Sequence, residues 1–345
     1  MIKPKGKVSL PISIVIPNGR IFPWSLLEQL LTQVSEGDEI IIVRNSAPSY
    51  YKNWVGMSSG EDNPALLSDR LILSKRFPHI SAVALQSCRI ISLSGNLGAA
   101  AARNLGWCSS KNFVILFLDD DVSIGNRFLE KIRETFNVHG CTGVTTFRVL
   151  DAPYSDPSAS IIATSLSLDR GPSDYHSSTP LRIKDVWNYG AGAAMLVDRS
   201  TLIDTGGFKD RLGAGCPNGG TEDTEFLWHS SRHTSINYRG RISVLHNQSY
   251  SFEEIARKMM EYGRAIGNLG GLSITKGGFD YVNGYCSHIR EILRKKVFHS
   301  LTPYQKNLVR DAVDTAISET QHSYRLSSTL IEPNNILCNA CRGSK

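Results

Sequence analysis

Val114-Ile115-Leu116-Phe117-Leu118-Asp119-Asp120-Asp121-Val122 sets three carboxylates at the end of an unbroken apolar run. The run has the length and composition of a buried strand. Three adjacent acids cannot be buried unpaired, because each desolvated charge costs several kcal/mol. They must meet water at the strand end or be neutralised by a cation. In open α/β sheets, ligands bind outside the carboxyl ends of the strands. Asp119 and Asp121 are therefore oxygen ligands of the kind that suits Mg²⁺ or Mn²⁺, ions often shared with substrate phosphates. A solvated acidic loop is the other reading that these residues leave open.

Outward from this run, short apolar strands are expected at 13–17, 39–43, 89–93, 113–118 and 143–149. Helical spacing separates them at 24–34, 99–107 and 126–136, with a further helix near 64–73. Strands alternating with helices imply an α/β fold with a parallel sheet covered on both faces. Segment 151–180 carries four prolines and many Ser and Asp, and reads as a long irregular excursion over the edge of the site. A strand at 192–197 and a short helix at 199–205 follow. Thr221-Glu222-Asp223-Thr224-Glu225 opens a helix, with Thr221 as its cap and the acids at its positive end. The last strand, 242–245, ends at His246, and everything after Phe252 reads as helix, with long helices at 252–266 and 300–319. The expected division is a ligand-binding domain over 8–250 and a helical region over 251–345 with a frayed tail.

The chain has 345 residues, 41% hydrophobic and 20% charged, which is globular. A formal charge of +6 suits an anionic substrate or a membrane surface and does not by itself indicate nucleic acid. No apolar stretch approaches the roughly 20 residues of a membrane-spanning helix. The basic start, 1–7, is followed by an apolar segment too short for a signal peptide. Seven scattered cysteines do not make a disulfide framework, so a cytoplasmic location is expected. Asn247-Gln248-Ser249 matches a glycosylation acceptor, a match of little weight without a signal peptide. Basic residues in helical order at 252–263, and Arg290, Arg294, Lys295 and Lys296, fit either a solvated face or a peripheral contact at the inner membrane surface. Cys338 and Cys341 lack the second pair that zinc would need and read as tail thiols.

Four motifs in order then carry a resemblance. They are the opening strand with Pro17; Asn96-Leu97-Gly98 followed by Ala102-Arg103-Asn104-Leu105-Gly106; Asp119-Asp120-Asp121; and Gly206-Gly207-Phe208 with Gly219-Gly220-Thr221-Glu222-Asp223-Thr224-Glu225. Over about 11–270 the chain resembles the family 2 glycosyltransferases of GT-A fold. The resemblance implies a Rossmann-like, mostly parallel sheet flanked by helices, with a helical C-terminal extension. It implies an inverting transfer of sugar from a nucleotide-diphosphate donor to an acceptor hydroxyl, dependent on Mn²⁺ or Mg²⁺. Asp119, Asp121 and His246 would hold the metal. Pro17, Asn18, Arg44, Asn96, Gly98, Arg103, Asp119 and Asp120 would hold the donor. Asp223 would be the general base, with Glu222 as second choice.

Bland alternatives stand beside several of these roles. The acids at 222–223 suit a helix N-terminus in any case, Arg103 can be a surface arginine with a packed stem, and His246 can be a packed histidine. Arg44 departs from the family, which commonly places a base-reading acid there. Arginine cannot accept a base N–H, so the nucleotide stays open. A dinucleotide fingerprint is excluded by the missing Gly-x-Gly-x-x-Gly spacing. An Asp cluster at a strand end also serves a Mg²⁺-dependent nucleotidyl or phosphoryl transferase, and an inactive nucleotide-sugar-binding module is the third reading. The acceptor, whether glycan, lipid-linked or a small molecule, is not legible, because loops on such scaffolds vary.

Overall fold

The structure, a computed structural model, describes residues 10–19, 21–45, 69–139, 143–154, 156–216, 219–248, 250–272 and 276–329. The chain runs β1 (Ile12–Asn18), α1 (Trp24–Leu31), β2 (Glu39–Arg44), α2 (Asp69–Arg76), α3 (Ala82–Gln86), β3 (Cys88–Ser92), α4 (Ala99–Ser109), β4 (Val114–Leu118), β5 (Val122–Ile124), α5 (Phe128–His139) and β6 (Val144–Asp151). It continues through α6 (Pro157–Ser165), β7 (Tyr175–Ser177), a 3-10 helix (Ile183–Tyr189), β8 (Ala194–Asp198), α7 (Arg199–Thr205), α8 (Glu222–Ser230) and β9 (Ile236–His246). The helices α9 (Phe252–Leu272), α10 (Lys276–Arg290), α11 (Lys296–Ser300) and α12 (Pro303–Thr329) close it.

The sheet order is β3-β2-β1-β4-β8-β6-β9-β5, with β7 beside β9. β1 pairs in parallel with β2 and β4, β2 with β3, and β6 with β9. β8 runs against both β4 and β6, and β5 and β7 run against β9. Six strands thus point one way and three oppose them, so the sheet is mostly parallel, with the strand expected at 192–197 reversed. The central strands β1, β2 and β4 are buried along their whole length, which is why they read as continuous apolar runs. After β3 the chain crosses to the other side of β1 to form β4. The carboxyl ends of β1 and β4 therefore flank a topological switch point, where such sheets bind ligands.

Alternate side chains of β1 serve opposite faces. Ile12, Ile14 and Ile16 pack with Leu26, Leu27 and Leu30 of α1 and with Leu129 and Ile132 of α5. Val15 packs with Ala100 and Trp107 of α4 and with Phe226 of α8. Gly106 lets α4 lie directly on β1, because a Cβ there would overlap Val15 Cγ1 and meet Val15 Cβ at 3.3 Å. Gly106→Ala should therefore destabilise the protein by about 1–3 kcal/mol through overpacking. In an open helix the same change would stabilise by roughly 0.5–1 kcal/mol. Urea unfolding decides the sign.

A second core joins Ala159, Ile161 and Ile162 of α6 to Ile255, Met259 and Ile266 of α9, Tyr285 and Ile289 of α10, and Val309 and Val313 of α12. The expected irregular stretch at 151–180 is thereby corrected, since it contains α6 and β7. Pro157 sits in the first helical turn, where its missing N–H costs nothing, and Asp156 caps that turn by accepting from Ser158 N at 2.8 Å. Pro157 therefore starts structure and does not break it.

Cys216 and Cys286 are free thiols, and Cys108 is disulfide-bonded. Among the described residues, no helix is long and apolar enough to cross a membrane. Residues 64–68 of the expected second helix, Ser249, Cys338 and Cys341 lie outside the described residues.

Candidate active site

The carboxyl ends of β1 and β4 open into a cavity of about 760 Å³. Asp119, Asp120 and Asp121 line it, together with Pro17, Asn45, Asn96, Arg103, Glu222, Asp223 and His246. At the end of β1, Asn18 donates from Nδ2 to Asp120 Oδ2 at 2.7 Å, and Gly19 N donates to the same oxygen at 3.1 Å. Burial pushes the Asp120 carboxyl up to about 6, with help from Asp119 and Asp121 and against these two hydrogen bonds.

Asp119, Asp121 and His246 bring one ligand atom each to within 4.8 Å of one another. His246 ends β9, whose pairing with β5 lays it beside Asp121. Its Nε2 is 3.1 Å from Asp121 Oδ1, a buried oxygen with no hydrogen bond aligned on it. Gln248 Nε2 donates to Asp121 Oδ2 at 3.0 Å and lies 2.6 Å from His246 Nε2. Burial works to raise Asp121, but His246, Gln248 and the nearby Lys258 outweigh it and hold the carboxyl down at about 2. Burial likewise works to lower His246, and Asp121 and Asp119 overcome it, so its pKa is raised. Two carboxylates and an imidazole, with one carboxylate oxygen unspent, fit Mn²⁺ or Mg²⁺.

Arg103 ties the two sides of the cavity together. It is 3% exposed and donates from Nη2 to Asp119 Oδ1 and from Nη1 to Glu222 Oε1, both at 2.6 Å. Burial lowers its pKa, yet Asp119, Glu222 and Asp223 carry it above the ordinary value. The reading of Arg103 as a surface residue is thereby corrected. Burial pushes the Glu222 carboxyl up, and Arg103 draws it back part of the way.

Thr221 stands at the expected cap position of α8, but its side chain makes no capping bond. It has φ 74°, and no other non-glycine described residue has positive φ. A β-branched residue in the left-handed region is strained, by about 1–3 kcal/mol. That strained residue directly precedes the two acids at the cavity. Asp223 accepts from Gly192 N at 2.7 Å on Oδ2 and from Thr224 N at 2.7 Å on Oδ1. It is half-buried, whereas Glu222 is 7% exposed and engaged by Arg103.

The turn before α4 is knit to β2. Asn45 donates to Asn96 Oδ1 at 2.9 Å and accepts from Leu97 N at 2.7 Å, while Gly98 N donates to Asn96 Oδ1 at 3.0 Å. Gly98 has φ 88°, and a Cβ on it would stand 2.5 Å from Cys216 Sγ. Arg44 is buried and does not line the cavity, whereas its neighbour Asn45 does. Arg44→Asp separates two roles. If the side chain reads a base, preference among nucleoside diphosphates should shift. If it only completes the end of β2, stability should fall and the preference persist. The buried placement predicts the second outcome, read by thermal unfolding and nucleotide titration.

Sequence reasoning missed Asn45, Gly192, Gln248, Arg170, Trp187 and the face of α9 carrying Lys258 and Tyr262, all of which line the cavity. Only Gln248, two residues past His246, had a signal in its spacing. The basic residues of α9 read as a solvated or membrane face, yet Arg257, Lys258 and Arg264 line the cavity.

The cavity at the switch point and the acidic end of β4 belong to a mixed α/β fold with a mostly parallel sheet. Residues 77–205 match the glycosyl transferase family 2 model. Comparison with curated proteins gives no match. Among solved structures, residues 1–349 of TarS from S. aureus in complex with UDP are similar at 12% identity and TM-score 0.49, covering 92% of this chain and 90% of that one. Mannosyltransferase PcManGT from Pyrobaculum calidifontis, in complex with GDP-Man and Mn²⁺, is similar at 10% identity and TM-score 0.48, covering 92% and 85%.

Proposed function

We propose that the protein is an inverting, divalent-metal-dependent glycosyltransferase that uses a nucleotide-diphosphate sugar. The observation that carries this is the convergence of Asp119, Asp121 and His246 with Asp223 on one cavity at the switch point. An ion held by Asp119, Asp121 and His246 would offset charge developing on the departing diphosphate.

The chain's own groups would do the rest. Asn18 and Gly19 hold Asp120 in place, and Arg103 fixes Asp119 and Glu222 at once. Asp223, oriented by Gly192 N and Thr224 N, takes the acceptor's hydroxyl proton. As that oxygen bonds the anomeric carbon, the bond from this carbon to the β-phosphate oxygen breaks, and the diphosphate leaves with its electrons. One base and no protein nucleophile give a single displacement with inversion. Glu222, held by Arg103, acts as a positioning group.

The test is incubation of the full chain with UDP-, GDP- and dTDP-sugars and Mn²⁺, with EDTA as control, reading nucleoside diphosphate release and the anomeric configuration of the product. Metal-dependent release with inversion supports the reading. Nucleotide incorporation, or phosphate release without sugar transfer, would move it to phosphoryl chemistry.

A further inference from the structure

Helix α9 forms one wall of the cavity. A Cβ on Gly219 would stand 2.7 Å from Glu261 O, and one on Gly220 would stand 2.9 Å from Tyr262 Cε1. The helix therefore lies directly on the turn that leads into Glu222 and Asp223. One turn earlier on the same helix, Lys258 lines the cavity and is half-buried. Its Nζ stands 4.2 Å from the centroid of the Tyr250 ring, and Tyr250 lines the cavity too. Tyr250 comes two residues after Gln248, whose Nε2 donates to Asp121 Oδ2 at 3.0 Å. The ammonium is thus braced on an aromatic face at the edge of the cluster of Asp121 and His246. Its charge is felt at both of those residues.

The charges in the cavity give this placement a use. A divalent ion held by Asp119 and Asp121 is offset by those two carboxylates. Arg103 is spent on Asp119 and Glu222. Arg257 pairs with Glu261 at 2.6 Å, and Arg264 lies 4.0 Å from Glu319. Arg170 donates to the carbonyls of Ser167, Asp169 and Trp187. The metal cluster and Arg103 therefore leave little net positive charge for a departing diphosphate, which gains negative charge as the sugar leaves. Lys258 adds a positive charge on the metal side. A lysine ammonium is a compact point charge that suits a phosphate oxygen.

We propose that Lys258, braced on Tyr250, binds the β-phosphate of the donor beside the metal cluster and stabilises the departing diphosphate. As the bond between the anomeric carbon and the β-phosphate oxygen breaks, that oxygen keeps the electron pair. The ammonium donates a hydrogen bond to the phosphate and keeps its proton. This rests on the reading of the cavity as a nucleotide-sugar site.

The experiment titrates UDP, UMP, GDP and GMP into the full chain with saturating Mn²⁺, by calorimetry, in wild type and Lys258→Met. Whichever nucleoside diphosphate binds wild type should bind Lys258→Met roughly 10–100-fold more weakly, the range for a hydrogen bond to a charged group. The matching monophosphate lacks the β-phosphate and should bind both proteins alike. Mn²⁺ binding without nucleotide, read by paramagnetic resonance, should not weaken in Lys258→Met, because the substitution removes a cation from beside the ligands. Unchanged diphosphate affinity in Lys258→Met overturns the proposal. So does an equal loss for diphosphate and monophosphate, which would place Lys258 on the α-phosphate or the nucleoside. A loss matched by weaker Mn²⁺ binding also overturns it, since Lys258 would then support the metal cluster and not the phosphate. Should Lys258→Met not fold, Lys258→Gln decides by the same comparison. Absence of any nucleotide binding in wild type would instead defeat the glycosyltransferase reading itself, and the proposal with it.

Discussion

Asp223→Asn is expected to bind donor and metal like wild type and to transfer sugar roughly 10²–10⁴-fold more slowly, the usual range for a lost general base. The substitution nearly preserves shape. An amide oxygen can still accept from Gly192 N or Thr224 N, which now bind the two carboxylate oxygens. Donor affinity should survive, because the ligand cluster is formed by Asp119, Asp121 and His246. Single-turnover transfer with nucleotide titration in parallel separates the two effects. A fully active Asp223→Asn protein, or a product of retained configuration, would remove Asp223 from this role. If only Glu222→Gln were inactive, the base would move one residue along α8. The burial of Glu222 and its 2.6 Å bond to Arg103 argue against that outcome.

Asp121→Asn should keep the fold and lose metal-dependent donor binding. The amide is neutral and a poorer ligand, and it leaves His246 without the carboxylate 3.1 Å away. Charge neutralisation by such an ion supplies several kcal/mol in the transition state, so transfer should fall by about two to three orders of magnitude. The check is activity against Mn²⁺ concentration, with circular dichroism to confirm folding. Normal Mn²⁺ titration and activity would take Asp121 out of the site. The raised pKa of His246 adds a pH consequence. Protons compete with the metal at this imidazole, so the Mn²⁺ concentration needed for half activity should rise as pH falls through the range where His246 gains its proton.

Much of this site was legible because its residues sit where regular structure ends. The apolar run into Asp119-Asp120-Asp121 had to be a buried strand, and the charges had to be at its carboxyl end. Arg103, Glu222 and Asp223 came from motif spacing, and the structure adds that the buried Arg103 guanidinium joins Asp119 at the end of β4 to Glu222 of α8. What was not legible depends on distant chain segments meeting. Arg170, Trp187 and Lys258 reach the cavity from an irregular connection, a 3-10 helix and α9, none of which has a motif. The basic residues of α9 resembled a surface stripe, because periodicity reports which residues share a face and not what that face meets. The reversed direction of β8 was equally hidden, since an apolar five-residue strand reads alike in either sense.

The most direct test of the central claim is calorimetric titration of UDP and GDP into the full chain with Mn²⁺, repeated with EDTA and with Asp121→Asn. The account predicts that at least one nucleoside diphosphate binds wild type with Mn²⁺, and that its affinity collapses both with EDTA and in the variant. Binding that is the same with Mn²⁺, with EDTA and in Asp121→Asn would contradict it.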